Sequence, residues 1–506
     1  MKQKTVRFMA LLLAALMALS GCTTAPAENI TEKETAVTMA KEETVELTET
    51  TEPIERDTIL RVATLKFNDP SFSALTGHIE SWAYTFEEKH KNVDVVIESM
   101  AGTERLQVEL MAGKGPDVII SPTTTEWQIL NWRYNVGPIP IPDVNLAMRN
   151  GIFYDISEFY DADTGLNKDG FVPAVMDAGV VDGRRFILPL RYNLLTAYVN
   201  LDQFAKTGLS TNIFALDITD FWDALTEHGN CYLASSAIIK SQKNSELNLI
   251  GDLIDYDNQE VLLTQDALIE YLQSKKSFLI TRGQNEVSDY ALLHEYYLSD
   301  AAFAEINSGW MNVMNPKCML VGGLDLAIHN AVIAESEGIN LGMYPLRSTD
   351  GSVTADITFY GAVTGGCENP ELAYEFLRYF LTEQSQWEQN VRVLSNDSQL
   401  MACGWPVLVK GSAGAMYDHL MTRWAWRVVQ RNESLNTVSD IKPYTDEDIP
   451  ILNVTVDKAR FPTGYEGTFR SLAASVYNVH TGEQLYDLES AAADFIDNLE
   501  WHVGEG

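Results

Sequence analysis

The chain of 506 residues carries 36 Lys and Arg against 71 Asp and Glu, a formal charge of −35. A surface this acidic repels nucleic acid and anionic lipid headgroups, which argues against both as partners. With 46% hydrophobic and 10% aromatic residues, the composition is that of a packed globular protein.

In chain order, Lys2, Lys4 and Arg7 come first, followed by an apolar run from Phe8 to Leu19. That is the layout of a secretory signal peptide, and the run is too short for a comfortable membrane span, which needs about 20 residues. The run ends in Leu19-Ser20-Gly21-Cys22. These four residues resemble the lipobox of bacterial lipoproteins, which implies removal of 1–21 and a lipid on the Cys22 thiol. The body would then sit on the extracytoplasmic face of the cell membrane. Without the three early basic residues the balance is 33 against 71, a charge of −38. From Thr23 to Asp57 the chain is mostly Thr, Glu and Ala with no aromatic residue. It cannot bury enough apolar surface to offset the entropy of ordering, and its Glu excess keeps it extended. We expect a spacer, so that 22–57 is a lipidated Cys and an acidic tether.

About 450 residues remain, too many for one ordinary core. Ile59 to Leu65 suits a strand. Leu75, Ile79, Trp82 and Phe86 recur at helical spacing, and Val93 to Ile97 is a second strand. A helix pattern through Leu106, Leu110 and Met111 ends at Gly113, and Asp117 to Ile120 forms a third strand. This β-α-β-α-β alternation predicts a parallel sheet flanked by helices. Ligands bind beyond the carboxyl ends of such strands, which marks Lys66–Asp69 and Ser121–Thr125 as ligand loops. Val181 to Arg185 reads as a hairpin around Asp182-Gly183. Phe186 to Pro189 and Leu194 to Leu201 are strand-like. Asp220 to Leu225 opens a helix that buries Phe221, Trp222 and Leu225. Cys367 to Gln386 is a helix capped by Asn369, with Pro370 in its first turn. Glu483 to Val503 closes the chain as an amphipathic helix.

Six motifs in this order resemble the family 1 extracellular solute-binding proteins of ABC importers, the group that includes maltose-binding protein. They are Ala112-Gly113-Lys114-Gly115-Pro116-Asp117-Val118, Tyr154 to Phe159, Val181 to Pro189, Ala197 to Phe204 with Gly208, Phe359 to Val363, and Asn369 to Phe376. Together they span residues 58 to 390; the stretch from Gln399 to Glu500 carries no such motif. The resemblance implies a two-lobed, periplasmic-binding-protein-like α/β fold, each lobe a mostly parallel sheet flanked by helices. Lobe 1 would hold 58–190 and 357–398, and lobe 2 would hold 191–356 and 399–506. Crossings are expected near Pro189–Asn193, near Ala355–Phe359, and between Val393 and Val407. Two departures stand out: Tyr198-Val199-Asn200 replaces the usual Tyr-Tyr-Asn, and 229–297 aligns poorly.

The function implied is capture of a small polar solute, with an oligosaccharide expected, and its delivery to an ABC permease by a lipid-anchored monomer. No cofactor or metal is expected, since the His and Cys residues show no ligand spacing. A sugar site wants aromatic rings and planar hydrogen-bonding groups in a cleft. The candidates are Asn68, Asp69, Asp117, Arg191, Tyr192, Asn193, Trp310, Asp325 and Tyr360. Asp117 could equally cap the turn after Pro116, Arg191 could pair with a carboxylate across the hinge, and Asp325 could end a turn. Trp82 and Trp222 lie on apolar helical stripes and read as core. Two other functions stay open: an anchored glycan-degrading enzyme working through two carboxylates, and a ligand-presenting sensor of the same fold. An exported context permits disulfides among Cys231, Cys318, Cys367 and Cys403, and the sequence does not choose among their three pairings; buried, unpaired thiols are the default reading.

Overall fold

The computed structural model describes residues 57–65, 73–100, 104–124, 127, 138–228, 232–233, 247–285, 318–324, 327–336, 338–387, 404–417, 444–463, 465, 469, 472, 484 and 486–505. Cys22, the signal segment and nearly all of the acidic tether lie outside them.

The described chain opens with strand β1 (Thr58–Thr64), helix α1 (Ser73–Lys89), β2 (Val93–Ser99), α2 (Glu104–Met111) and β3 (Val118–Pro122). β1 pairs in parallel with both β2 and β3. All five residues of β3 are buried, because both faces of a parallel sheet are covered and a strand there must be apolar throughout. On α1 the stripe of Ile79, Trp82 and Phe86 is buried, as its 3.6-residue spacing predicts. Trp82 stacks on Tyr379 at 3.8 Å and donates its indole N–H to the Phe376 carbonyl at 3.0 Å.

Helix α3 (Val144–Arg149) starts from Asp143, whose carboxylate accepts the Leu146 N–H at 3.0 Å. After α4 (Pro173–Asp177) come β4 (Val180–Val181) and β5 (Arg184–Arg185). Their two-residue turn has φ of 51° at Asp182 and 73° at Gly183, the doubly left-handed geometry for which Asp-Gly is suited. β6 (Ile187–Asn193) and β7 (Leu195–Asn200) follow, each buried along its whole length. Next are α5 (Ile218–His228), β8 (Tyr232–Leu233), the hairpin of β9 (Ile254–Asp255) and β10 (Glu260–Val261), and α6 (Gln265–Asn285). Later elements include β11 (Cys318–Gly323), β12 (Leu341–Pro345), β13 (Thr354–Val363), α7 (Pro370–Arg378), β14 (Trp405–Pro406), β15 (Lys458–Arg460) and α8 (Leu488–Glu505).

These strands build two principal sheets. The first runs β14-β6-β13-β3-β1-β2, with β15 paired to β13; the second runs β12-β7-β11-β8. In the first, the parallel β2-β1-β3 block is continued by antiparallel β13, β6 and β14. Each sheet has its own apolar core. The first gathers residues from Leu60 to Tyr192, from Val353 to Leu381 and from Trp405 to Phe461, and also takes in Leu194, Tyr198 of β7, Leu324, Ala327, Ile328 and Ala331. The second gathers residues from Leu195 to Phe278, Leu346, and residues from Phe469 to Leu499. The stretch after 399 thus divides between the two cores. The poorly aligned segment contributes Leu268, Tyr271, Leu272 and Phe278 of α6 to the second core, where Phe278 packs 4.8 Å from Trp222. Trp82 and Trp222 are both core residues. The result is a two-lobed α/β fold.

Two local expectations need correction. Asn369 precedes α7, but its side chain makes no capping bond; Pro370 alone sets the first turn. The helix also does not run unbroken to Gln386. It tightens into a 3-10 turn at Tyr379–Leu381 and resumes at 383–387. Cys367 is a buried free thiol, and burial, with the Asp117 carboxylate beside it, pushes it up to about 12.

Arg378, in the last turn of α7, grips both oxygens of Asp163, with Nη2 2.8 Å from Oδ1. Asp163 also accepts the Gly165 N–H at 2.8 Å and the Tyr374 hydroxyl at 3.1 Å. Burial opposes ionisation of Asp163, but the Arg378 bonds outweigh it and hold the carboxyl below its ordinary range. Removing one partner of such a pair leaves the other charge uncompensated. Asp163→Asn should therefore lower unfolding stability by about 2–3 kcal/mol, read as a fall in the urea midpoint at unchanged slope.

Candidate functional site

The chain passes between the two sheets at several places that lie side by side. It leaves the first sheet at the end of β6, crosses at Leu194 and enters the second with β7. It returns between β12 and β13, and crosses again between Phe461, in the first core, and Phe469, in the second. β13 carries irregular pairing at this point, with register shifts between Ile357 and Tyr360. Such bulges twist a strand where it leaves a flat ladder. β14 closes the bundle: Trp405 and Pro406 pair with Tyr192 and Arg191. Gly404 permits this approach, since a Cβ there would run into the Tyr192 carbonyl oxygen.

Five sequence-derived candidates fall among the described residues, and each is held by the scaffold. Asp117 sits at the amino end of β3, opposite to the ligand loops. Its carboxylate accepts the Arg61 N–H at 2.8 Å, while its own N–H and carbonyl bond Arg61 and Thr364. Arg191 is 2% exposed and donates to the Gly404 carbonyl at 3.3 Å. Tyr192 is core, and burial pushes its phenol up. Asn193 accepts the Leu194 and Leu324 N–H groups at 3.0 and 2.7 Å, which ties the first crossing to the end of β11. Tyr360 is buried edge-on to Phe153 and Phe461, with its hydroxyl bonded to Ser121. Asn68, Asp69, Trp310 and Asp325 lie outside the described residues.

Two adjoining cavities open beside the crossings. The larger, about 890 Å³, is lined by Asp169 to Ala174, Asp177 and Ala178, by Asp252, Val409, Lys410 and Asp446, and by Leu452 to Arg460. The smaller, about 170 Å³, draws Asn145 and Phe461 from the first lobe and Leu253, Ile254 and Tyr256 from the second. Ala178, Asp252, Ala459 and Arg460 line both. The smaller lies beyond the carboxyl end of β3, because β15 pairs with Thr354–Asp356 of β13 while β3 ends opposite Phe359.

The shared wall is charged. Arg460 donates to the Gly251 carbonyl and sits 3.0 Å from Asp252 Oδ1. Burial weakens its hold on its proton, opposed by Asp252, Asp350 and Asp356. Lys458 bridges Asp252 at 2.8 Å and Asp350 at 2.5 Å, and despite burial these carboxylates raise its affinity for a proton. Burial works against ionisation of Asp350, but bonds from Lys458, Ser352 and Ser348 hold its carboxyl far below the ordinary range. Lys458 and Arg460 of the shared wall are thus already engaged by protein carboxylates. Beside the exposed Lys410 of the larger cavity, what the walls offer a ligand is hydroxyl, amide and carboxylate groups, a set suited to a hydroxyl-rich solute. Among the described residues no cluster of His, Cys, Asp and Glu could hold a metal ion, and no helix is long and apolar enough to cross a membrane.

Asn145, Asp252, Tyr256 and Arg460 escaped the sequence reading. They are far apart in the chain, and Arg460 lies in the stretch without motifs. Its only local signal was two basic residues, Lys458 and Arg460, on one face of a strand.

No family model matches the chain, and no curated protein matches it. Solved structures do resemble it. The de novo designed cysteine esterase ECH19 aligns over 89% of this chain and 99% of its own, at 15% identity and a TM-score of 0.51. An extracellular solute-binding protein of family 1 from Alicyclobacillus acidocaldarius aligns over 88% and 98%, at 14% identity and a TM-score of 0.49. A periplasmic oligogalacturonide-binding protein from Yersinia enterocolitica aligns over 88% and 99%, at 16% identity and a TM-score of 0.49. At such identities the likeness is one of fold. Structural neighbours of this chain include a member of the family that its motifs resemble.

A group whose folded-state pKa is depressed contributes stability above its unfolded value, and loses it as the pH falls through the folded one. Asp350→Asn should therefore be less stable than the parent near pH 7. The gap should stay constant down to about pH 5 and narrow below it, as the unfolded chain's carboxyl takes up its proton first, followed by urea unfolding at each pH.

Proposed function

We propose that this chain is a lipid-anchored, extracytoplasmic solute-binding protein that captures a hydroxyl-rich solute, an oligosaccharide, between its two lobes and passes it to an ABC permease. The observation that carries the reading is the smaller cavity, whose walls come from both lobes beside the strands that cross between them. A solute held there touches both cores, so its binding free energy can draw the lobes together. The order of the six motifs and the fold support the same reading. No chemical step is required of the protein; its work is closure and handover.

On this proposal Cys22 carries the lipid, the 22–57 segment is the tether, and the larger cavity extends the site for a ligand of several rings. The lobes divide near Leu194, between Leu346 and Val353, and between Phe461 and Phe469. Asn68, Asp69, Trp310 and Asp325 are proposed ligand contacts. Arg191, Tyr192, Asn193, Asp117 and Tyr360 would act by holding the crossings and the sheet in place.

A thermal-shift screen of the protein against mono- and oligosaccharides, amino acids, peptides and polyamines tests this. A glycan at a hundred times its dissociation constant should add about 2.7 kcal/mol of stability. Asn145→Ala should then weaken that glycan by roughly five- to ten-fold in calorimetric titration, the loss of one ligand hydrogen bond. Stabilisation by amino acids or polyamines with none by glycans would overturn the solute class. Unchanged affinity in Asn145→Ala would move the site away from this cavity.

A further inference from the structure

The two lobes are also joined by side-chain contacts along the wall of the smaller cavity, apart from the strands that cross between them. Asp143 and α3 belong to the first core through Val144, Ala147 and Met148. Tyr256 and the end of α8 pack on the second. Asp143 is 7% exposed. One of its oxygens caps α3; the other accepts the Tyr256 hydroxyl at 2.9 Å and lies 3.1 Å from His502 Nε2. At the other end of α3, Arg149 reaches Asp257 Oδ1 with Nη2 at 2.6 Å and Nε at 3.0 Å. Its guanidinium also lies over the Tyr256 ring, 5.3 Å from the centroid. The short helix is therefore gripped at both ends by one turn of the other lobe.

That turn is shaped in advance. Asp255 accepts the N–H groups of Asp257 and Asn258 at 2.9 and 3.0 Å and the Asn258 amide at 2.7 Å. Gln259 takes the left-handed conformation, φ 55°, that brings the hairpin back. Tyr256 and Asp257 are thereby presented together, which lowers the entropy cost of closing both contacts.

We propose that this grip on α3 is a clasp that holds the lobes closed with protein atoms alone, so that the closed state is populated before a solute adds its own contacts. The proposal rests on the two-lobed reading above but not on the identity of the solute. Each contact involves partly exposed groups, so its net effect is modest. Releasing one should raise the open population about five-fold, the effect of one ordinary hydrogen bond. Apparent affinity is reduced by the fraction of molecules that are not competent to bind, so the clasp tunes capture.

The test is a distance measurement in the full chain, with spin labels on unnatural residues at the exposed positions Tyr84 and Glu270, one on each lobe. Without added solute, the parent should show a dominant short distance. Tyr256→Phe and Asp257→Ala should each add a longer-distance population, and the double variant more. Asp257 is largely exposed, so its loss leaves the fold intact; thermal melts of the variants check this. Identical distance distributions in parent and variants would overturn the clasp, as would a parent that is already open. A protein that binds no glycan but opens in the variants would sink the solute reading and leave the clasp standing.

Discussion

Strand β13 is the element on which the rest of the molecule depends. Its ten residues, Thr354–Val363, are all buried, and along its length it pairs with β3, β6 and β15. Its carboxyl half pairs with β3 in the first sheet; its amino half takes up β15, the strand that leads from the first core to the last crossing. A strand used on both edges must satisfy its backbone groups through its neighbours, since water cannot reach them. The register shifts near Phe359 are where these two duties meet. They bend the strand at the crossings without leaving the ladder.

Charge is distributed to match. The chain has a large acidic excess, yet the cations beside the crossings are each surrounded by carboxylates. Lys458 and Arg460 gather Asp252 and Asp350 from turns of the other lobe onto β15. In a partly buried setting such a network favours one arrangement of its parts, because breaking any member leaves a desolvated charge. The contacts on α3 form a second such set, with Asp143 almost fully buried and the Arg149–Asp257 pair nearer the surface.

The fold was legible because its signals are local. The first five elements follow from apolar periods and breakers, and the Asp182-Gly183 hairpin from the one turn type that suits it. The motif order carried the rest of the first lobe. The site was legible only in part. Arg191, Tyr192 and Asn193 end β6 beside the crossing at Leu194, where their side chains are buried in the scaffold. Asn193 spends its carbonyl on two N–H groups, and Tyr360 sits in an aromatic core. Residue type and neighbourhood are visible in a sequence; whether a polar atom is already taken is not. Asp117 shows the same thing, since either of its two readings fitted the Gly-Pro-Asp turn until Arg61 was seen opposite.

The sequence by itself determined the acidic surface, the layout of the N-terminal segment, the α/β class and the buried faces of α1 and α5. These depend on composition and on periods of two and 3.6 residues, which need no long-range information. Only the tertiary structure decided which residues meet across the crevice. Asp143, Tyr256 and His502 are separated by more than a hundred residues at each step, as are Asp252 and Lys458. Their meeting depends on where β13 bends and how the last hundred residues divide between two cores. No local pattern encodes that, because it is set by the packing of both lobes at once.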